Sequence, residues 1–295
     1  MIIRSYQAEI QNIHSGSEAM LATMHDGWVS EPELDDILTI SDVSSQTAEQ
    51  PLSEITTSQP NNAVLLTGST GALGSYILDA LLEGGTRRVY CFNRSADSQT
   101  LQTVRNQRRG LPSKFLDSRV TFLTGNLALP YFGLPKSQYR DLQRSVTQII
   151  HNAWPVDFNK SLQSYRKSLD GVVSLVRFCH HSPHDVMLQF VSSITSVARY
   201  SESSTIPEHA ITQARISAPM GYGESKYVAE MILAYASRVL GIRTITARVG
   251  QISGDASRKS GWSLHEWFPS LVVSSLHMGA LPSSLGHVED VEGIR

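Results

Sequence analysis

Tyr222 and Lys226 stand in the pattern Tyr-x-x-x-Lys, within Tyr222-Gly223-Glu224-Ser225-Lys226. On a helix, residues i and i+4 share a face. A Lys ammonium beside the phenol favours the phenolate and is expected to lower the Tyr222 pKa from about 10. A phenol tuned in that way is a general acid for a carbonyl oxygen that receives hydride. Ser192 and Ser193 close the apolar run Val186-Met187-Leu188-Gln189-Phe190-Val191. A hydroxyl there could bond the same oxygen, and a strand-end cap or turn is its plainer use.

A second constellation is Thr67-Gly68-Ser69-Thr70-Gly71-Ala72-Leu73-Gly74, with the spacing Gly-x-x-Gly-x-x-Gly. It follows the apolar run Ala63-Val64-Leu65-Leu66 and precedes Leu73, Ile77, Ala80 and Leu81, which recur at helical spacing. Gly68 permits a tight exit from the strand, Gly71 lets the backbone approach a pyrophosphate, and Gly74 lets the helix pack close to the sheet. Amide hydrogens and the dipole at the helix start then hold the phosphate. No Lys follows at the place a Walker loop requires. The next strand ends Asn93-Arg94, with no acid before Asp97. An acid there would bind the ribose hydroxyls of NAD, whereas Arg suits the 2′-phosphate of NADP. Arg94 and Arg105 are therefore the candidate phosphate ligands, and NADPH the expected cofactor.

These groups need a sheet edge to hold them together. Strand signals fall at 63–68, 88–94, 120–123, 147–150, 186–191 and 243–249, and helical patterns at 162–180 and 222–240. Strands alternating with helices predict an α/β fold, a doubly wound Rossmann-type parallel sheet with helices on both faces. The stretch 41–60 is rich in Ser, Thr, Gln and Glu and too poor in large apolar side chains to offset its ordering entropy. The division expected is an N-terminal extension and flexible linker over 1–60, an NADP-binding reductase domain over 61–256, and a partial substrate-binding subdomain over 257–295.

The 295 residues are 41% hydrophobic and 18% charged, with net charge −2. This balance, without a dense Lys/Arg block, argues against nucleic acid or an anionic membrane as the main partner. No apolar run reaches membrane-spanning length, and the start of the chain lacks a secretory pattern. Cys91 and Cys179 have no metal or disulfide spacing and read as reduced core residues of a cytoplasmic protein.

Six blocks occur in a fixed order: Leu65 to Gly74, Cys91-Phe92-Asn93-Arg94, His151-Asn152-Ala153-Trp154-Pro155-Val156-Asp157-Phe158-Asn159, Phe190-Val191-Ser192-Ser193, Gly221 to Glu230, and Arg248 to Gly254. Together they resemble the thioester reductase domains of fungal nonribosomal-peptide-synthetase-like carboxylic acid reductases, which are extended short-chain dehydrogenases. The segment Gly261 to Leu271 is similar to the same family, and the resemblance spans roughly 61–287. It implies reduction, in secondary metabolism, of an acyl or aryl thioester on a phosphopantetheinylated carrier protein, giving an aldehyde. By motif position it implies Ser193, Tyr222 and Lys226 as the catalytic set. It implies Gly68, Thr70, Gly71, Ala72, Leu73, Gly74, Arg94, Arg105, Asn126 and Leu127 at the cofactor, with Tyr222 and Lys226 contacting it as well. Asn152 and Ala153 match the loop along the cofactor, and Arg248 to Gly254 the loop near the nicotinamide.

Three departures qualify this. Gly125-Asn126-Leu127 stands where the family has Gly-Asp-Leu near the adenine; an Asn amide can still bond a base. No adenylation domain or carrier-type serine motif is present, so a carrier would act in trans or the chain is a fragment of a larger synthetase. The sequence ends at Arg295, where the family continues, so an incomplete acyl pocket is expected. A non-catalytic nucleotide-binding relative, or a dehydrogenase or epimerase acting on a free small molecule, are the other readings. His180, His181, His184 and Asp185 sit at a helix end and lack an open zinc motif. His151 reads as a strand-end residue, and Trp154, Trp262 and Trp267 as packing or as the rim of a substrate entrance.

Overall fold

In the computed structural model, residues 2–15, 63–116, 118–254, 262 and 266–284 are described. The chain runs α1 (Ile2–His14), β1 (Ala63–Thr67), α2 (Ala72–Glu83), β2 (Arg88–Asn93), α3 (Ser98–Arg108), β3 (Val120–Thr124), α4 (Lys136–Ser145), β4 (Gln148–His151), α5 (Arg166–His180), β5 (Met187–Ser193), α6 (Gly221–Leu240), β6 (Thr244–Val249) and α7 (Trp267–Met278). The strands form one sheet in the order β3-β2-β1-β4-β5-β6. Every pairing is parallel.

The apolar runs explain this arrangement. All five residues of β1 are buried, as a strand covered on both faces requires. Their side chains alternate between two cores. Val64 and Leu66 join Leu78 of α2 with Val89, Cys91, Val120 and Ile150. Leu65 joins the other face with Phe92, Ile149, Leu188 and Phe190, and there it meets Leu169, Val172 and Val176 of α5 and Tyr227 and Ile232 of α6. The sheet is thus doubly wound, as the sequence predicts. Cys91 and Cys179 are free thiols buried one in each core.

The order in which strands are added reverses between β1 and β4, which lie side by side and parallel in the middle of the sheet. Helices depart to opposite faces at that point, and their divergence opens a crevice beyond the carboxyl ends of both strands.

Two helices bury few or no apolar side chains. The buried face of α3 is Ser98, Gln102 and Asn106, and it docks through amides. Gln102 Nε2 donates to Ser75 Oγ at 3.0 Å and to Asn106 Oδ1 at 2.8 Å, and Asn106 Nδ2 donates to the Pro112 carbonyl at 2.7 Å. α4 buries only Tyr139 and Leu142.

The helix α1, within the segment expected as an N-terminal extension, packs into the core. Ile3, Tyr6, Ile10 and Ile13 make one buried stripe on α1, against α5 and α6. Tyr6 OH donates to Asp170 at 2.8 Å, and Arg177 reaches Glu9 at 3.0 Å. The expected linker over 41–60 lies outside the described residues. Ile10 is fully buried, so Ile10→Ala is expected to lower unfolding free energy by about 2–5 kcal/mol in urea titration. A change near zero would show that α1 is not part of this core.

Candidate active site

Thr67, the last residue of β1, ties the two central strands together at their exits. Its Oγ1 accepts from the backbone amides of Asn152 and Ala153, both at 3.1 Å. It also contacts His151 Nδ1 at 2.8 Å. With two amides donating to the oxygen, the hydroxyl hydrogen goes to His151 Nδ1, which leaves the imidazole proton on Nε2. Burial, with Lys226 adding to it, pushes the His151 pKa down to about 3, so the ring is neutral.

Gly68 follows with φ +71°, and a Cβ there would lie 2.9 Å from Ala153 Cα. Both facts demand glycine. A Cβ on Gly74 would lie 2.1 Å from the Gly68 carbonyl oxygen, so Gly74 sets how closely α2 meets the turn. Gly71 is the N-cap of α2 and supplies no side-chain cap. The first-turn amides are consequently left to a ligand or solvent.

These elements bound a groove of about 430 Å³. Of the residues singled out in the sequence, Gly68, Thr70, Gly71, Arg94, Arg105, Asn126, Leu127, Asn152 and Ala153 line it. Ala72, Leu73 and Gly74 do not; they form the first turn of α2 beside it, and Ser193, Tyr222 and Lys226 also lie outside its lining. Arg105 Nη1 donates to the Thr70 carbonyl at 2.8 Å, which fixes its guanidinium at the glycine turn. Arg94 is exposed on the same rim. Asn126 Oδ1 accepts from Ala128 N at 3.0 Å, so that oxygen holds its own loop. Lys167 and Ser168, in the first turn of α5, also line the groove. They carry no motif, and only the fold reveals them.

Ser193, Tyr222 and Lys226 gather at the end of β5 and the start of α6, beyond Trp154. Trp154 lines the groove, donates from Nε1 to Ser225 Oγ at 3.2 Å, and has the Lys226 ammonium 4.6 Å from its ring centroid. Ser193 stands close enough to the Tyr222 phenol to favour its ionised form, against the opposing effect of burial. Ser193 Oγ itself accepts from Thr195 N at 3.2 Å and Thr195 Oγ1 at 3.0 Å, which leaves its own hydrogen for Tyr222. Thr195 is a positioning contact with no signal in the sequence motifs. The exposed Phe158 ring stands edge-on to Tyr222 at 5.3 Å.

The electrostatics of this set differ from the sequence expectation. The Tyr222 pKa is raised, because burial outweighs the hydrogen bond from Ser193. Lys226 does not lower it. The ammonium donates to the Val191 carbonyl at 2.6 Å and lies over Trp154 and Phe190, each at 4.6 Å, with the Tyr222 ring at 5.8 Å. Tyr222 and Lys226 do share a face of α6, but the ammonium is directed at a backbone carbonyl and ring faces. Burial brings the Lys226 pKa down to about 7, against the opposing pull of Glu230.

Other candidate groups are engaged elsewhere. His181 Nδ1 contacts the Arg177 carbonyl at 2.9 Å, His184 Nε2 the Arg144 carbonyl at 2.6 Å, and Asp185 pairs with Arg243 at 2.7 Å. Trp262 stacks on Phe268, and Trp267 Nε1 donates to Gln251 at 3.2 Å. No described helix is long and apolar enough to cross a membrane.

The family model described as Male sterility protein, an NAD-binding domain, matches residues 66–294. The chain belongs to this family. Relatives of this Male sterility-type domain include a carboxylic acid reductase of Neurospora crassa, 36% identical over 231 residues, which cover 78% of the chain and 22% of that protein. The adenylate-forming reductase Nps11 of Serpula lacrymans is 41% identical over 246 residues, with the same coverage, 78% and 22%. The chain therefore spans about a fifth of the length of these relatives. Among solved structures, the terminal R domain of the myxalamid biosynthetic pathway superposes with a TM-score of 0.68 at 26% identity, over 77% of this chain and 58% of that one. The R domain of a nonribosomal peptide synthetase from Mycobacterium tuberculosis gives 0.57 at 25% identity, over 66% and 49%.

Lys226 has a consequence for stability. Its pKa falls from 10.5 in the unfolded reference to about 7 when folded, so the unfolded chain binds the extra proton between those values. The penalty for burying the ammonium is fully present below about pH 7 and fades as pH rises toward 10.5. Urea unfolding of the wild type and Lys226→Met across this window should show the gap shifting in favour of the wild type as pH rises. A gap independent of pH would contradict the burial of this charge.

Proposed function

We propose that this chain is the reductase unit for acyl or aryl thioesters presented on the phosphopantetheine arm of a carrier protein or domain, with NADPH as reductant and an aldehyde as product. The observation that carries this reading is a groove whose floor is a glycine turn and an uncapped helix start, with Ser193, Tyr222 and Lys226 gathered beyond Trp154 on its wall. Reductase names among the relatives support it.

The groove residues fit a phosphorylated dinucleotide. The α2 amides and the close backbone approach at Gly68 and Gly71 suit the pyrophosphate. Arg94 and Arg105, with no acid beside them on the groove wall, suit a 2′-phosphate. Asn126 and Leu127 lie toward the adenine, and Asn152 and Ala153 along the dinucleotide. Bound NADPH supplies one hydride per thioester. The chain's own part is to hold the thioester carbonyl at Ser193 and Tyr222 and to give its oxygen the phenol proton. A phenol raised above its ordinary pKa remains protonated at neutral pH, as a general acid must. Lys226, over Trp154 and Phe190 and with its pKa brought by burial to about 7, is only partly charged at neutral pH and packs against the aromatic side of this set. The products are the aldehyde and the carrier's free thiol. In this reading residues 61–256 form the nucleotide-binding domain and 257–295 belong to the substrate side.

Two measurements test it. Purified protein given NADPH and an acyl-phosphopantetheinyl carrier should consume NADPH and release aldehyde, and Tyr222→Phe should slow turnover by about 10²–10⁴-fold with NADPH binding intact. Unchanged turnover in that variant removes Tyr222 from the chemistry, and absence of turnover by the wild type on any carrier thioester favours a binding module. Replacing Arg94 or Arg105 by Ala should weaken NADPH by about tenfold while NADH is little affected. Equal losses for both nucleotides would argue against a 2′-phosphate site.

A further inference from the structure

Glu230 lies on α6 one turn beyond Lys226 and two beyond Tyr222, on the same face of the helix. It is only 3% exposed. Its carboxylate is nonetheless filled with partners. Oε1 accepts from Ser192 Oγ at 2.5 Å and from Ser196 Oγ at 2.6 Å. Oε2 accepts from Arg248 Nε at 3.0 Å and Nη2 at 2.9 Å. The two serines bracket Ser193, and Ser196 Oγ also contacts the Ser193 carbonyl at 2.7 Å. Arg248, on β6, is held as firmly. Its Nη1 donates to the Pro207 carbonyl at 3.0 Å and its Nη2 to the His209 carbonyl at 3.2 Å. The guanidinium of the segment matched to the nicotinamide loop is thus directed at α6 and at the loop that follows β5.

One buried carboxylate therefore joins three separate pieces of chain: the turn that carries Ser193, the helix that carries Tyr222 and Lys226, and the strand β6. Such an arrangement is a poor device for stability. Desolvating two charges offsets most of their attraction, and apolar side chains of equal volume often do as well. It is a good device for geometry, because four directional bonds at one carboxylate fix the relative placement of the groups that donate them.

We infer that Glu230 is a positioning residue for the proton-transfer pair: through Ser192, Ser196 and Arg248 it fixes the Ser193 turn against α6, so that the Ser193 hydroxyl meets the Tyr222 oxygen. The inference rests on the reading of Ser193 and Tyr222 as the groups that meet the substrate oxygen. Glu230 touches neither groove nor substrate position; it acts through the turn. The same carboxylate opposes the burial that draws protons from Lys226, so its charge serves both ends of the set.

The test compares wild type, Glu230→Gln, Ser196→Ala and Tyr222→Phe in the full 295-residue chain. Turnover with NADPH and an acyl-phosphopantetheinyl carrier is measured beside amide hydrogen exchange of the 192–197 segment. Glu230→Gln should lower kcat by about 100-fold, the scale of a small misplacement in an active site. KM for NADPH should stay within about twofold, since the nucleotide groove is untouched. Exchange should accelerate in 192–197 while the strands β1 and β4 keep their protection. Ser196→Ala removes one of the bonds and should act in the same direction to a smaller degree; it decides the matter if Glu230→Gln does not fold. Wild-type kcat and exchange in both variants, with Tyr222→Phe inactive, overturns the inference and leaves the proposed function standing. A fall in kcat with exchange rising across the whole sheet also overturns it, because Glu230 would then act through general stability. No turnover by wild type removes the proposed function, and the exchange measurement still shows whether Glu230 holds the turn.

Discussion

The hydroxyl of Thr67 is the contact on which the site depends. β1 and β4 are adjacent parallel strands whose following segments go to opposite faces of the sheet. Their exits would drift apart unless something held them, because backbone amides at strand ends have no ladder partner. Thr67 Oγ1 supplies that partner for both Asn152 and Ala153. Asn152 returns the contact by donating from Nδ2 to the Gly68 carbonyl at 3.2 Å. Gly68 can then lie against Ala153 with no side chain between them. The crevice at the topological switch point has a fixed width as a result, and the glycine turn, the amides of α2 and the β4 loop all face it.

A second constraint acts at the other end of the site. The aromatic groups Trp154, Phe190 and Tyr222 surround Lys226, and burial there disfavours any charge. The same burial raises the Tyr222 phenol and keeps its proton on. In the proposed reaction the proton would come from this desolvated phenol, with Ser193 beside it. His151, neutral and stacked at 5.7 Å on Phe190, completes the floor without adding charge. The site is a dry, weakly charged corner at one end of a polar groove, which is the contrast a hydride acceptor and a pyrophosphate require of one protein.

Much of this was legible in the sequence, because it follows from local pattern. β1 is a fully buried, mostly apolar run, and Val64, Leu65 and Leu66 have no other stable place than a sheet covered on both sides. The glycine spacing identifies the turn because Gly68 and Gly74 are forced by sterics. Other features depend on contacts between distant residues. α3 escapes a hydrophobic reading because Gln102 and Asn106 dock it by amide bonds. α1 escapes it because the stripe Ile3, Tyr6, Ile10 and Ile13 gains meaning only against α5 and α6. The Tyr222 pKa was misjudged because helical spacing gives the neighbour but not the direction in which its ammonium points. Lys167 reaches the groove, and Glu230 meets Ser192 and Arg248, only through the folding of distant segments together, which no spacing rule contains.

The most direct test of the account is the dissociation constant for NADPH measured by titration calorimetry on the wild type and on Thr67→Val, which keeps the shape of the side chain and removes its hydroxyl. Binding by the wild type, weakened by about tenfold when two buried amides lose their acceptor, is the result expected. Failure of the wild type to bind, or equal affinity in both proteins, would contradict the claim that the Thr67 contact sets the width of a dinucleotide site.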